Sequence, residues 1–91
     1  MTLVALNIAY DKHELETAAD QPFTISFDNQ DPSTPHDVDI RDASGNVVAD
    51  QQPVTGPAQV DYAYDPLPAG QYTFTCSIHP IPAMTGTLTV R

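Results

Sequence analysis

The sequence has few basic residues and no long apolar run, and these shortages exclude several classes of function. Only three Lys and Arg residues oppose twelve Asp and Glu residues, which gives a formal net charge of -9 over 91 residues. So acidic a domain repels nucleic-acid phosphates and anionic lipid surfaces. The apolar residues 3–6 and 8–10 are interrupted by Asn7 and are too short to span a bilayer. We therefore expect a cationic protein partner, and neither a nucleic acid nor a membrane span.

The single cysteine, Cys76, limits the covalent chemistry that the chain can perform. One thiol cannot form an internal disulfide, so Cys76 is a buried structural thiol, a reactive thiol or a metal ligand. The sequence also lacks a nucleophile paired with a base, an acid and base at a suggestive spacing, and a phosphate-binding loop. We therefore predict that the protein is not an enzyme. The scattered carboxylates lack the spacing of a calcium site, and we interpret them, like His13, as solvated surface.

No segment shows a helical stripe, whereas apolar residues alternate with polar ones in many segments. A period of two predicts strands with one buried face. The expected inward-facing sets are Val4, Leu6, Ile8 and Tyr10; Phe23, Ile25 and Phe27; His36, Val38 and Ile40, with Asp37, Asp39 and Arg41 outward; Val60, Tyr62 and Tyr64; Tyr72, Phe74 and Cys76; and Leu88 and Val90.

Short extended pieces at residues 14–17 and 47–50 bring the expected number of strands to about eight. Clusters of turn-forming residues separate them, such as Ser44-Gly45-Asn46 and the Pro66, Pro68 and Gly70 group. A chain of this length with 41% hydrophobic residues can build one small core. We predict a single domain over residues 1–91, folded as an antiparallel Greek-key β-sandwich.

A thiol, an imidazole and a thioether follow one another closely at Cys76, His79 and Met84. Two His, one Cys and a weak axial Met are the ligands of mononuclear electron-transfer copper. His36 offers the second imidazole, because it faces inward at the start of one strand while Cys76 faces inward at the end of another. Any one of these residues alone is more often an ordinary core or loop residue. A sandwich core, however, has no packing need for all four at this spacing.

The same segment resembles a known family. Gly70-x-Tyr72-x-Phe74-x-Cys76-x-x-His79-x-x-x-x-Met84-x-Gly86 is similar to the carboxy-terminal signature of plastocyanin and pseudoazurin, which are cupredoxins, or small blue copper proteins. Pro35-His36-Asp37-Val38 is similar to the first ligand segment of that family. The resemblance covers nearly the whole chain. It implies a metal-binding electron-transport protein.

The resemblance implies one copper ion per chain, cycling between Cu(I) and Cu(II) to carry electrons between larger redox proteins. The implied equatorial ligands are His36, Cys76 and His79, and Met84 is the implied long axial ligand. Most members have Asn after the first His, whereas this chain has Asp37, whose carboxylate can still accept a hydrogen bond from Ser77. An ionised Asp37 so near the copper would favour Cu(II) and lower the reduction potential.

The resemblance also implies how such a carrier meets its partner. His79 would be the more exposed imidazole and the exit for the electron. An apolar docking patch would surround it, formed by Pro35, Pro80, Ile81, Pro82 and Ala83. The acidic surface would steer a redox partner with a basic docking surface toward this patch. We expect a monomer that works outside the cytoplasm, in the periplasm or at the outer membrane face.

Two alternatives remain open from the sequence. We expect no signal peptide within this chain, and we expect a mature or excised domain. It could therefore be a copper-binding domain excised from a larger membrane-associated oxidoreductase. It could also be a metal-free β-sandwich interaction domain, for which Asp37 is the only hint.

Overall fold

The computed structural model describes all residues 1–91 and contains ten β-strands and one short 3-10 helix. The strands are β1 (Thr2–Ala5), β2 (Glu14–Thr17), β3 (Phe23–Asn29), β4 (Pro35–His36), β5 (Asp39–Arg41), β6 (Val47–Ala49), β7 (Val54–Thr55), β8 (Ala58–Tyr64), β9 (Gly70–Thr75) and β10 (Thr85–Val90). The 3-10 helix, Pro82–Met84, lies between β9 and β10. No helix is long enough and apolar enough to cross a membrane.

The strands form two main sheets that pack on a shared core. One sheet has the order β1-β3-β8, and the other has the order β2-β10-β9-β5-β6. Strands β4 and β7 form a separate two-stranded ladder. Aromatic rings link the two layers, because Tyr10 lies 6.2 Å from Phe27 of β3 and 5.6 Å from Phe74 of β9, between ring centroids. The predicted all-β sandwich is confirmed.

Two strand pairs depart from the expected antiparallel arrangement. β1 pairs with β3, and β2 pairs with β10, in parallel. A parallel pair needs a crossover connection between its strands. Here the chain passes from β1 to β2 in the other sheet before it returns to β3, and local alternation cannot reveal such a crossing.

The structure has ten strands where the sequence predicts about eight, because the expected strand with His36, Val38 and Ile40 is divided between β4 and β5 and because β7 is additional. Strands β4 and β7 have only two residues each. A strand of two residues is too short to show an alternating pattern. Elsewhere the expected short pieces are present, as β2 over Glu14–Thr17 and β6 over Val47–Ala49.

The predicted core is largely correct, and its main error lies at the start of the chain. Leu3 and Ala5 are buried on β1, whereas Leu6 and Ile8 are 44% and 39% exposed. The reason is that β1 ends at Ala5 and the next turn places Asn7 and Ile8 in the left-handed region, with φ of 56° and 53°. Tyr10 then returns to the core as predicted. The other inward-facing sets are buried or half-buried against the core.

Three of the carboxylates interpreted as solvated lie in the interior, namely Asp31, Asp37 and Asp39. The segment between β4 and β5 is not a regular strand. Its side chains therefore do not alternate between core and solvent, and Asp37 is buried together with Val38. Asp39, the first residue of β5, is buried as well. His13 is exposed as expected, and its Nδ1 lies 2.9 Å from the Thr85 carbonyl oxygen.

Candidate metal centre

Three of the four predicted ligands converge at one end of the sandwich. His36 closes β4, Cys76 follows β9, and His79 lies in the loop beyond it. The Cys76 Sγ lies 3.7 Å from Nδ1 of His36 and 3.9 Å from Nδ1 of His79. The three potential ligand atoms all lie within 4.8 Å of one another. His36 and Cys76 are fully buried, and His79 is half-buried.

Strand pairing explains how residues forty positions apart meet. β5 runs antiparallel to β9, with Asp39 opposite Thr75. This register places the segment that precedes β5, which contains His36, beside the segment that follows β9, which begins with Cys76. The sheet register, and not local sequence, therefore brings the two ligand segments together in space.

The loop from Cys76 to Met84 folds back on itself through backbone hydrogen bonds. The Ile81 amide donates to the His79 carbonyl at 2.8 Å, and the Met84 amide donates to the Ile81 carbonyl at 2.9 Å. The Cys76 amide then donates to the Met84 carbonyl at 3.2 Å. Met84, the predicted axial ligand, is fully buried. The loop therefore brings the backbone of Met84 back to the backbone of Cys76.

Asp37 joins the two ligand segments. Its Oδ1 accepts a hydrogen bond from the Ser77 amide at 2.7 Å, and its Oδ2 accepts one from the Ser77 hydroxyl. The Tyr10 hydroxyl donates to the Asp37 carbonyl oxygen from the core side. Residue 37 is thus tied both to the loop that carries Cys76 and to the aromatic core.

Asp31 is a residue of this region that the sequence interpretation missed. Its Oδ2 lies 2.7 Å from Nε2 of His36 and also accepts the Ile8 amide at 2.9 Å. Its Oδ1 accepts the Asn7 amide. Burial alone would raise the pKa of Asp31, but the Ile8 amide, the His36 ring and the Asn7 amide outweigh burial and hold that pKa below its ordinary value. The sequence carries no signal that distinguishes Asp31 from the other acidic residues.

The chemistry of these side chains fits copper. Thiolate and thioether are soft ligands, and imidazole also suits copper. Burial raises the pKa of the Cys76 thiol, although nearby backbone N–H groups oppose that rise. The thiol of the metal-free protein therefore keeps its proton at neutral pH, and a metal that binds the sulfur must displace that proton.

The predicted docking residues lie on the loop around His79 and on β4. Pro80, Ile81 and Pro82 are exposed, while Pro35 and Ala83 are half-buried. Ala83 also accepts the Tyr10 amide through its carbonyl, at 2.8 Å. Ile78 is a further exposed apolar residue of this loop that the sequence interpretation did not include.

Comparisons with known proteins agree with this architecture. Auracyanin A, described as a "blue" copper protein from Chloroflexus aurantiacus, has a TM-score of 0.84 and 21% identity over 100% of this chain and 97% of its own. Dithionite-reduced auracyanin from Roseiflexus castenholzii has a TM-score of 0.80 and 20% identity over 99% and 94%. A purple cupredoxin from Nitrosopumilus maritimus has a TM-score of 0.69 and 22% identity over 99% and 98%.

These structural similarities establish a shared fold. A search of curated proteins found no match. The family model for the cupredoxin-like domain, however, matches residues 1–90. The resemblance inferred from the ligand motifs is therefore confirmed, and the chain belongs to the cupredoxin-like family.

Proposed function

We propose that this domain is a one-electron carrier that holds a single copper ion between His36, Cys76, His79 and Met84. The observation that carries the proposal is the convergence of two imidazoles and one thiol, with all three potential ligand atoms within 4.8 Å of one another. When bound there, copper would supply the Cu(I)/Cu(II) couple, because this donor set is that of blue-copper electron-transfer sites. Membership of the cupredoxin-like family and the similarity to blue copper proteins support the assignment.

The protein's own part is to hold the ligands still and keep water away. His36 and Cys76 are fully buried beside strands of the sandwich, so their positions follow the sheet. The hydrogen bonds from Ser77 to Asp37 connect the two ligand segments directly. We propose that this connection keeps both segments in the same place in the two oxidation states, which makes electron transfer fast.

The partner would approach at His79, the half-buried imidazole. The apolar loop residues around it offer a surface suited to brief contact, and Ile78 extends that surface. The net charge of -9 would steer a redox protein with a basic docking surface. The association rate should therefore fall as ionic strength rises, and a rate independent of salt would contradict electrostatic steering.

The same family membership supports a proposal for the setting of this activity. We propose that residues 1–91 act as one domain and as a monomer, outside the cytoplasm, and that the domain transfers electrons without being an enzyme. Sedimentation of the copper-loaded protein at several concentrations tests the monomer, since an oligomer would show a concentration-dependent mass.

Copper titration tests the proposed function. The reduced, metal-free protein is titrated with Cu(II) while visible absorption and electron paramagnetic resonance are recorded. We expect an intense thiolate-to-copper charge-transfer band that saturates at one copper per chain. Cys76→Ser should abolish the band. His79→Gln, which removes one imidazole of the cluster, should weaken the band, whereas its matched control His13→Gln should leave the band unchanged, because His13 is exposed and outside the cluster.

The outcomes separate the alternatives. An intense band that survives in Cys76→Ser would show that the ligand assignment is wrong. No band in the wild-type protein would favour a metal-free interaction domain. A copper site that exchanges electrons only when joined to a membrane oxidoreductase would favour the excised-domain alternative.

A further inference from the structure

The buried carboxylate of Asp31 faces Nε2 of His36, whereas Nδ1 of the same ring faces Cys76. Its Oδ2 is 2.7 Å from Nε2 of His36, whereas Nδ1 of the same ring is 3.7 Å from the Cys76 sulfur. Asp31 is only 5% exposed. The imidazole is therefore held between a carboxylate on one side and the thiol on the other.

Asp31 is itself held firmly by the surrounding backbone. The amides of Asn7 and Ile8 donate to its two oxygens, because both residues adopt left-handed conformations that turn their N–H groups toward it. The Asp31 amide donates in turn to Oδ1 of Asn29 at 3.0 Å. The Asn29 Nδ2 donates to the carbonyls of Thr34 and Val54, each at 2.8 Å. The carboxylate thus has a fixed position relative to β4 and β7.

We propose that Asp31 is a positioning residue that holds His36 as the Nε2–H tautomer and so presents a free Nδ1 lone pair to the metal. A carboxylate can only accept hydrogen bonds, so the ring nitrogen that faces it must carry the proton. A neutral imidazole with a proton on Nε2 has its lone pair on Nδ1. A carboxylate behind a ligating histidine also raises the basicity of that ligand. This inference rests on the proposed copper site.

The second imidazole provides an internal comparison. His79 also directs Nδ1 toward the Cys76 sulfur, at 3.9 Å, but its Nε2 makes no hydrogen bond within the protein. His79 is half-buried, so solvent rather than a fixed acceptor faces its outer nitrogen. Only His36 should therefore be locked in one tautomer, whereas His79 should populate both.

The test begins with the metal-free protein, so its outcome does not depend on copper binding. Nitrogen chemical shifts of the histidine rings, measured by NMR at mildly alkaline pH, report which nitrogen carries the proton. We expect His36 to be entirely Nε2–H, with slow solvent exchange of that proton, and His79 to be mixed. Asp31→Asn and Asp31→Ala should convert His36 to a mixture of tautomers.

A control and a second measurement complete the design. Asp28→Asn removes the same charge three positions earlier in the chain, and it is a suitable control because the Asp28 carboxylate accepts only from Gln30 and makes no hydrogen bond to His36. In the copper-loaded protein, Asp31→Asn should weaken Cu(II) affinity by about 10- to 100-fold, the usual effect of losing such a partner. Asp28→Asn should change the affinity by far less.

Three results would overturn the proposal. The first is a wild-type His36 that carries its proton on Nδ1 or mixes both tautomers, and this result is decisive even if the Asp31 variants fail to fold. The second is an Asp31→Asn protein with an unchanged His36 tautomer. The third is a loss of affinity no larger than that of Asp28→Asn. Absence of copper binding in the wild type would instead contradict the proposed function, while the tautomer measurement would still stand.

Discussion

Removing the Ser77 hydroxyl tests how strongly the two ligand segments are tied together. In the wild type both oxygens of Asp37 accept a hydrogen bond from Ser77, one from its amide and one from its hydroxyl. Ser77→Ala removes the second bond and leaves the first. Asp37 is only 2% exposed, so the carboxylate oxygen that loses this donor belongs to a buried residue, although Ser77 itself is exposed. A hydrogen bond to a charged group contributes about 1.5–3 kcal/mol, and we expect a loss of stability of that size.

The measurement is urea or thermal unfolding of the metal-free protein. For a domain of this size, a loss of 1.5–3 kcal/mol corresponds to a fall in Tm of roughly 6–24 °C. Ser26→Ala is the matched control, since Ser26 is exposed on β3 and its hydroxyl makes no hydrogen bond within the protein. That variant should remain within about 0.5 kcal/mol of wild type. If Ser77→Ala were no less stable than Ser26→Ala, the tie between the segments would contribute nothing and the reasoning would fail.

Substitutions at Asp37 and Gly86, and the ionisation of the buried tyrosines, test other parts of the site and the core. Asp37→Asn should raise the reduction potential of the copper-loaded protein, as measured by voltammetry. An unchanged potential would mean that the Asp37 carboxylate has no electrostatic effect on the metal. Gly86→Ala should cost about 1–3 kcal/mol in chemical unfolding, because a Cβ there would lie 2.3 Å from Cζ of Phe74; an unaffected midpoint would contradict this close packing. Burial raises the pKa of three tyrosines above the ordinary value of about 10, so their contribution to stability is present below pH 10 and lost as pH rises above it. Three of the four tyrosines should therefore contribute tyrosinate absorption only together with unfolding, and ionisation of more than one tyrosine in the folded protein would contradict the prediction for these residues: Tyr10, Tyr62 and Tyr64.

The sequence predicts the sheet interior well because a strand with one buried face repeats every two residues. Phe23, Ile25 and Phe27 of β3 all face the core. The same rule fails at Leu6 and Ile8, because backbone dihedral angles in a turn interrupt the period without any Gly or Pro to mark the change. It also fails to show the parallel pairing of β1 with β3, which depends on where the chain crosses between sheets.

The ligand motif could be read from the sequence because its residue types are chemically unusual together, and the structure brings His36, Cys76 and His79 into one cluster. The residues that support them could not be read in the same way. Asp31 looks like any other acidic residue of a chain with twelve of them. Its partners, the amides of Asn7 and Ile8, are backbone groups more than twenty positions away. Only the three-dimensional arrangement distinguishes a buried acceptor from a solvated one.

The aromatic core and the candidate site form one connected structure. The segment between β4 and β5 is irregular, so sheet hydrogen bonds do not fix its backbone. Two buried tyrosine hydroxyls fix it instead: Tyr10 donates to the carbonyl of Asp37, and Tyr64 donates to the carbonyl of Val38 at 2.7 Å. A buried hydroxyl needs such a partner, and a carbonyl outside a sheet needs a donor. Each tyrosine hydroxyl therefore satisfies a carbonyl of this segment, and the interior of the sandwich thereby sets the position of the segment that directly follows His36.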